Sequence, residues 1–372
     1  MIFPGRINMK RFLILSLLVV FAALNAFAQS DLQPVAIVRL TKSEPITVKQ
    51  LKAEIEKLAW QDLGARLNRP PTAAEITRAT GNMTLDQKKQ VLDVMINERL
   101  ALQAAERDKV VITDNELNQQ IQQLKNQMAG TIGRQPTEDE FAQAIKNETG
   151  LDLPAFRDQM RRQATVQRYL MSKKQDQFNN IKQPTDAEIV NAYNLSKAQF
   201  VRPDTVRFSM IQIPYGPDTT SKTKAKDLAD KLNQDISLNP SKFDDAVMKS
   251  QTPNSGYQAG DGGYLPRNMQ AQQAAGVDFI NTAFSLKQGE VSKLIEGVQG
   301  YQIIKITETY GQKSLDLDDI VQPGSRITVR QYIAQNMLQQ RQQETVAKAS
   351  QELVTELRTG KPFQVMENNL NW

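Results

Sequence analysis

The chain contains no histidine and no cysteine in 372 residues. That inventory excludes a zinc site of the usual His/Cys kind, a Ser-His-Asp or Cys-His nucleophile system and haem attachment. It also excludes disulfides, so the folded chain is held by packing alone, and it leaves no lipobox thiol for a lipid anchor. No run of five or more basic residues occurs, which argues against a nucleic-acid partner. A Gly-x-x-x-x-Gly-Lys loop is likewise missing, so nothing points to a nucleotide, and no metal or small-molecule cofactor is expected. Long apolar runs are absent apart from residues 12–24, which fall short of the roughly 20 residues needed to span a bilayer.

That single apolar run has the setting of an export signal. Lys10 and Arg11 precede it and Ala26-Phe27-Ala28 follow it, the arrangement of a signal peptide cleaved after Ala28. Met9 offers a second plausible start, which would bring the positive charges to the front, and an uncleaved anchor is the alternative reading. Cleavage removes Arg6, Lys10 and Arg11 and no acid, so the formal charge of +5 becomes +2. A near-neutral, exported, periplasmic protein is expected.

What is present is mostly helical punctuation. A Thr-x-x-Glu/Gln capping box satisfies two otherwise orphaned N–H groups at a helix start. The device occurs at Thr47/Gln50, Thr72/Glu75, Thr84/Gln87, Thr113/Glu116, Thr137/Glu140 and Thr185/Glu188. Apolar stripes at helical spacing agree with these starts: Leu92, Met95, Ile96 and Leu100; Leu117, Ile121, Leu124 and Met128; Phe156, Met160 and Ala164. Loops bearing Pro or Gly separate them. Val35-Ala36-Ile37-Val38 reads as a short apolar β segment ahead of this helical module.

From Thr205 the texture changes. Residues 206–213 and 301–306 alternate as half-buried strands, with an amphipathic helix on Ala225, Leu228, Leu232 and Ile236 between them. This is an α+β unit of about 100 residues. Residues 328–358 then read as one helix about 45 Å long, with Val329, Ile333, Met337, Val346, Leu353 and Leu357 along a narrow stripe. So narrow a stripe needs a partner, and the helical N-terminal module is the candidate. The expected fold is therefore multidomain: an all-α domain made of N-terminal helices plus the C-terminal helix, with the α+β domain inserted. The boundaries read as 1–28 for the signal peptide, 29–200 for the helical domain, 201–310 for the insert and 311–372 for the returning helix.

These features resemble the SurA and PrsA group of exported foldases, and the insert resembles a parvulin (PpiC-type) peptidyl-prolyl isomerase domain. The parvulin likeness rests on the strand 206–213, on Phe243-Asp244-Asp245-Ala246-Val247, on the Gly260-Asp261-Gly262-Gly263 turn within 250–265, and on 283–292 followed by Gly300-Tyr301-Gln302-Ile303-Ile304-Lys305. Ile96-Asn97-Glu98-Arg99-Leu100 and Leu153-Pro154-Ala155-Phe156-Arg157 resemble the SurA-type N-terminal domain. The resemblance implies a helical chaperone domain whose partners are unfolded exported polypeptides, outer-membrane proteins above all.

It also implies a site from which the family's usual side chains have gone. Met210 and Gln302 stand where parvulins usually have histidines, and Thr252 where they have aspartate or cysteine. The proline pocket would be formed by Leu265, Met269 and Phe279, with residues 270–278 longer than the family spacing. Rotation about an X-Pro bond breaks no covalent bond, but faces a barrier of about 18–20 kcal/mol. An isomerase need only bind the twisted amide better than the planar one. Thr252 and Gln302 can each offer a hydrogen bond for this, whereas Met210 offers apolar contact only. The expectation is a chaperone with weak or lost isomerase activity. An active isomerase and a non-catalytic scaffold or adhesin are the alternatives. Client-contact residues cannot be picked out, because Gln- and Met-bearing helix faces are also ordinary core and surface.

Overall fold

The structure is a computed structural model and describes residues 31–216, 218–252 and 255–372. The expected leader and its cleavage point after Ala28 lie outside the described residues. The chain folds into two compact units, one comprising the N-terminal part to Ile181 together with Gln342–Trp372, the other Lys182–Arg341.

The first unit begins with a hairpin, β1 (Pro34–Val38) and β2 (Glu44–Thr47), and continues through α1 (Val48–Leu67), α2 (Ala73–Gly81), α3 (Leu85–Arg107), α4 (Asp114–Ile132), α5 (Glu138–Thr149), α6 (Leu153–Lys173) and the short α7 (Gln175–Asn179). Five of these helices start where the capping boxes place them. At Thr47, Thr72, Thr84, Thr113 and Thr137 the side chain accepts an N–H three residues on, and the Glu or Gln there accepts the threonine N–H in return. Helix α6 uses a different device, with Asp152 accepting the Ala155 N–H and Pro154 in the first turn, where the missing proline N–H costs nothing. Helices α4 and α5 stop at Gly133 and Gly150, both left-handed. Between them and α6, Ile112, Leu117, Ile121 and Phe141 form a small core of their own.

The second unit opens with α8 (Asp186–Ser196), capped by the sixth box at Thr185. It continues through β3 (Val201–Arg202), β4 (Thr205–Pro214), α9 (Thr219–Leu238), α10 (Lys242–Lys249), β5 (Gln258–Pro266), α11 (Met269–Ala275), α12 (Val277–Ser285), β6 (Ile295–Glu296), β7 (Gly300–Tyr310) and β8 (Lys313–Ser314). An antiparallel sheet in the order β5-β4-β7-β6 is its centre, with β3 and β8 paired separately. Alternation along the strands gives the sheet two apolar faces. Ile211, Ile213, Tyr301 and Ile303 pack with Ala225 and Ala229 of α9 and Phe243 of α10. Val206, Phe208, Ile304 and Ile306 pack with Phe279, Ile280 and Ala283 of α12.

The long helix α13 (Val329–Arg358) and the strand β9 (Phe363–Val365) complete the chain. The first turns of α13 belong to the second unit, where Val329 and Ile333 are buried with Ile189, Tyr193 and Leu315. Tyr193 fixes this cluster by donating its hydroxyl to the Leu315 carbonyl. The compact units therefore divide at 181/182 and 341/342 rather than at 200/201 and 310/311, because α8 buries its apolar face on the segment after β8 and not among the preceding helices. The rest of α13 returns to the first unit. Ala349, Leu353 and Leu357 are buried in the same cluster as Val38, Leu51, Leu92, Ile96 and Leu100, and β9 pairs antiparallel with β1. Arg358 pairs with Asp93 at 2.9 Å, and Lys174 with Glu356 at 2.6 Å. The first unit is thus discontinuous in sequence, closed by the C-terminal segment, with the α+β unit as an insertion. No helix among the described residues is long and apolar enough to cross a membrane.

Candidate functional site

Helix α12 covers only part of its face of the sheet. Beyond it the row of side chains on β4 runs Phe208, Met210, Gln212, and across the ladder Gln302 on β7 is the register partner of Gln212. A cavity of about 560 Å³ opens there. Phe208, Leu265 and Phe279 form its apolar floor, and Met210, Gln212 and Gln302 its walls. Tyr264, the end of α11 at 273–276 and the turn 297–299 complete the lining. The floor is tightly built, with the Phe208 and Phe279 rings meeting edge to face at 5.5 Å between centroids. Phe208 lies so close to β5 that a Cβ on Gly262 would sit 2.3 Å from its ring.

Charge stays outside this lining. Arg207 stacks on the Tyr264 ring at 5.3 Å and forms ion pairs with Asp261 at 2.6 Å and Glu308 at 2.9 Å. The pairing raises Arg207 above its ordinary value, the Asp261 hydrogen bond being the largest cause, and the same bond holds Asp261 low. Glu308 is held low first by the Tyr310 hydroxyl and then by Arg207, while the Tyr310 phenol is pushed up to about 12 by that hydrogen bond to Glu308. At the other end, burial and the Glu296 carboxylate push Tyr215 up to about 12. These charges satisfy one another and leave the cavity neutral. Tyr264 is wedged from behind by the loop after β8, since a Cβ on Gly324 would lie 2.4 Å from its ring.

Of the six residues singled out from the sequence, Met210, Gln302, Leu265 and Phe279 come together here. Met269 and Thr252 do not. Residues 270–278, longer than the family spacing, form the body of α11 and the start of α12, joined at Gly276 with φ 90°. Asn268 caps α11, which leaves Met269 in its first turn, 73% exposed, while the far end of the helix reaches the cavity. Thr252 is exposed and donates its hydroxyl to the Lys249 carbonyl at 2.7 Å, a bond that finishes α10. Gln212 and Tyr264 line the cavity without having been singled out. Gln212 was within reach of the sequence, since it stands two residues after Met210 on a strand and so shares its face. Tyr264 was not, because the wedge that holds it lies 60 residues on. In the first unit, the cleft of about 630 Å³ between the C-terminal ends of α1 and α5 is lined mainly by Gln61, Asn68, Arg69, Asn147, Glu148 and Thr149 and has no comparable apolar floor.

Comparison with known proteins matches both parts of the chain. Residues 7–170 match the SurA-like N-terminal domain, and residues 193–310 the PPIC-type PPIASE domain. Chaperone SurA of Saccharophagus degradans is 24% identical over 79% of this chain and 62% of its own length. Foldase protein PrsA of Clostridium botulinum (strain Hall) is 25% identical over 77% of this chain and 75% of its own length. This chain thus spans less than two thirds of the SurA relative. A solved SurA-like chaperone of Campylobacter jejuni covers 90% of this chain and 100% of its own at 14% identity, with a TM-score of 0.34, too low to carry a statement about either unit.

Proposed function

We propose that this chain, whose N-terminal part matches the SurA-like N-terminal domain and whose insert matches the PPIC-type domain, is a SurA/PrsA-like foldase that works in the periplasm as a holding chaperone for unfolded exported polypeptides, outer-membrane proteins among them, with a parvulin-like unit that binds client segments and isomerises them weakly or not at all. The observation that carries this reading is the composition of the cavity. Its apolar floor of Phe208, Leu265 and Phe279 is intact and tightly packed, while its walls are a thioether and two carboxamides. A floor of that kind seats a proline ring or another compact apolar side chain by desolvation. Catalysis asks for more, namely groups that favour the twisted amide over the planar one. Met210 offers none, and the hydroxyl of Thr252 is committed to Lys249.

The holding activity is tested by refolding an outer-membrane barrel from denaturant with the leaderless protein at equimolar ratio. Suppressed aggregation is the expected result, and unchanged light scattering refutes it. One feature favours a second reading, an active isomerase: the Gln212 and Gln302 carboxamides face each other across the ladder and can donate to a rotating carbonyl. A protease-coupled assay on an X-Pro peptide separates the two. A rate at the uncatalysed level supports the first reading, and an acceleration lost in Phe279→Ala supports the second.

A further inference from the structure

Fifteen of the described residues line the cavity of the second unit, and none of these is Asp, Glu, Lys or Arg, in a chain of which 23% is charged. Four of the fifteen are glutamines. Gln212 and Gln302 stand half-buried in the wall, and Gln273 and Gln299 are exposed at the rim. Among the described residues none of these four carboxamides has a hydrogen-bond partner in the protein, whereas the neighbouring charges Arg207, Asp261 and Glu308 are tied to one another. The Gln302 carboxamide lies beside Gly297, where an added Cβ would be 3.5 Å from its Cδ and Oε1. At the tip of the same turn Val298 is 98% exposed, an apolar side chain offered to solvent at the cavity mouth.

Each carboxamide carries two donors and an acceptor, so it can serve either the N–H or the C=O of an extended chain, in either direction and whatever the side chain. It cannot neutralise a charge. A carboxylate or ammonium brought between these walls would lose water and gain no counter-ion, the costly case for a buried charge. Resting on the reading of this cavity as a client-binding site, we propose that it selects by neutrality: it accepts an apolar residue on the Phe208–Leu265–Phe279 floor, clamps the adjoining peptide groups with Gln212 and Gln302, and rejects segments with a charged residue next to the seated one. The occupant is thus an uncharged stretch of unfolded chain, and proline is one of several side chains the floor accepts. Unfolded client stretches that are locally acidic or basic pass the cavity by.

The test uses the whole leaderless protein carrying a photo-crosslinking residue in place of Val298, and fluorescent peptides of one length with a central Pro or Leu flanked by Ala, Glu or Lys. Anisotropy gives the affinity and crosslinking reports the place. The expected result is crosslinking of both Ala-flanked peptides, with binding roughly tenfold weaker for either charged flank. Gln302→Glu should then restore binding of the Lys-flanked peptide and worsen that of the Glu-flanked one, a reversal that a merely damaged fold does not produce. Equal affinity for neutral and charged peptides that do crosslink overturns the proposal while leaving the cavity a client site. Absence of any crosslink, with the protein still suppressing aggregation, removes the cavity from client binding altogether and the proposal with it.

Discussion

Arg168 on α6 places its Nη2 2.6 Å from Oε1 of Glu116, and the other oxygen of that carboxylate accepts the Thr113 N–H at the start of α4. The same arrangement recurs at the other Thr-x-x-Glu capping boxes among the described residues. Glu75 is held by Arg69 and Glu140 by Arg134, both at 2.6 Å or less, and Glu188 by Arg341. One carboxylate thus closes a helix start and ties it to a second segment. The arginine hydrogen bond is the largest cause that brings Glu75, Glu116 and Glu140 from 4.5 down to about 2.

A carboxylate whose pKa is depressed by folding contributes stability that is fully present above its unfolded value and is lost as the pH falls through its folded value. For these three glutamates the window runs from 4.5 to about 2. The urea midpoint, followed by far-UV circular dichroism, should therefore drop across that window. The triple variant Glu75→Gln, Glu116→Gln, Glu140→Gln should start lower at pH 7 and fall less. All three pairs are solvent-exposed, so each contributes modestly and high salt weakens it. Equal slopes for the two proteins would refute this account. Thr113→Ala removes the reciprocal half of a box and should cost about 1 kcal/mol at any pH.

Both tryptophans, Trp60 and Trp372, lie in the first unit, so tryptophan emission during unfolding reports on that unit alone. Leu353 comes from the far end of the chain and is 5% exposed within the cluster that holds Leu51 and Leu92. Leu353→Ala should lower the stability read by tryptophan by about 2–4 kcal/mol, the range for a leucine truncated in a packed core. Val346→Ala, on the same helix but 45% exposed, should change it little. If the two variants unfolded alike, the C-terminal helix would not be closing this core.

Helix starts were legible because a capping box is a local device: Thr84 and Gln87 contain all the information needed to place the beginning of α3. The same signature stands at Thr328 and Gln331, where each N–H is accepted by the other side chain at the start of α13. The narrow apolar stripe of that helix rightly demanded a distant partner, and Leu353 finds one in the N-terminal core. Less local matters were not legible. The position of α8 depends on Tyr193 meeting Leu315, more than a hundred residues away, so no composition shift near residue 200 could locate the division. Family spacing put Met269 in the pocket, but Asn268 turns the extra residues into a capped helix that points it at solvent.

The Gly262 contact allows the cavity floor to be tested apart from its walls. An added Cβ at Gly262 would fall 2.3 Å from Cε2 of Phe208, a ring 7% exposed and pressed against Phe279. In Gly262→Ala the ring has to yield, and with Phe279 on one side and β5 on the other it turns toward the cavity. Overpacking of this kind costs about 1–3 kcal/mol. Gly260, two residues earlier on the same strand, has nothing within 4 Å of its Cβ position, so Gly260→Ala is the matched control. Gly262→Ala should weaken binding of an Ala-flanked Pro or Leu peptide at least as much as Phe279→Ala does, while Gly260→Ala binds as the parent protein does. Both glycine variants should leave the tryptophan-monitored transition of the first unit unchanged. Parent-like peptide affinity in Gly262→Ala would mean that apolar side chains do not sit on the Phe208–Phe279 floor.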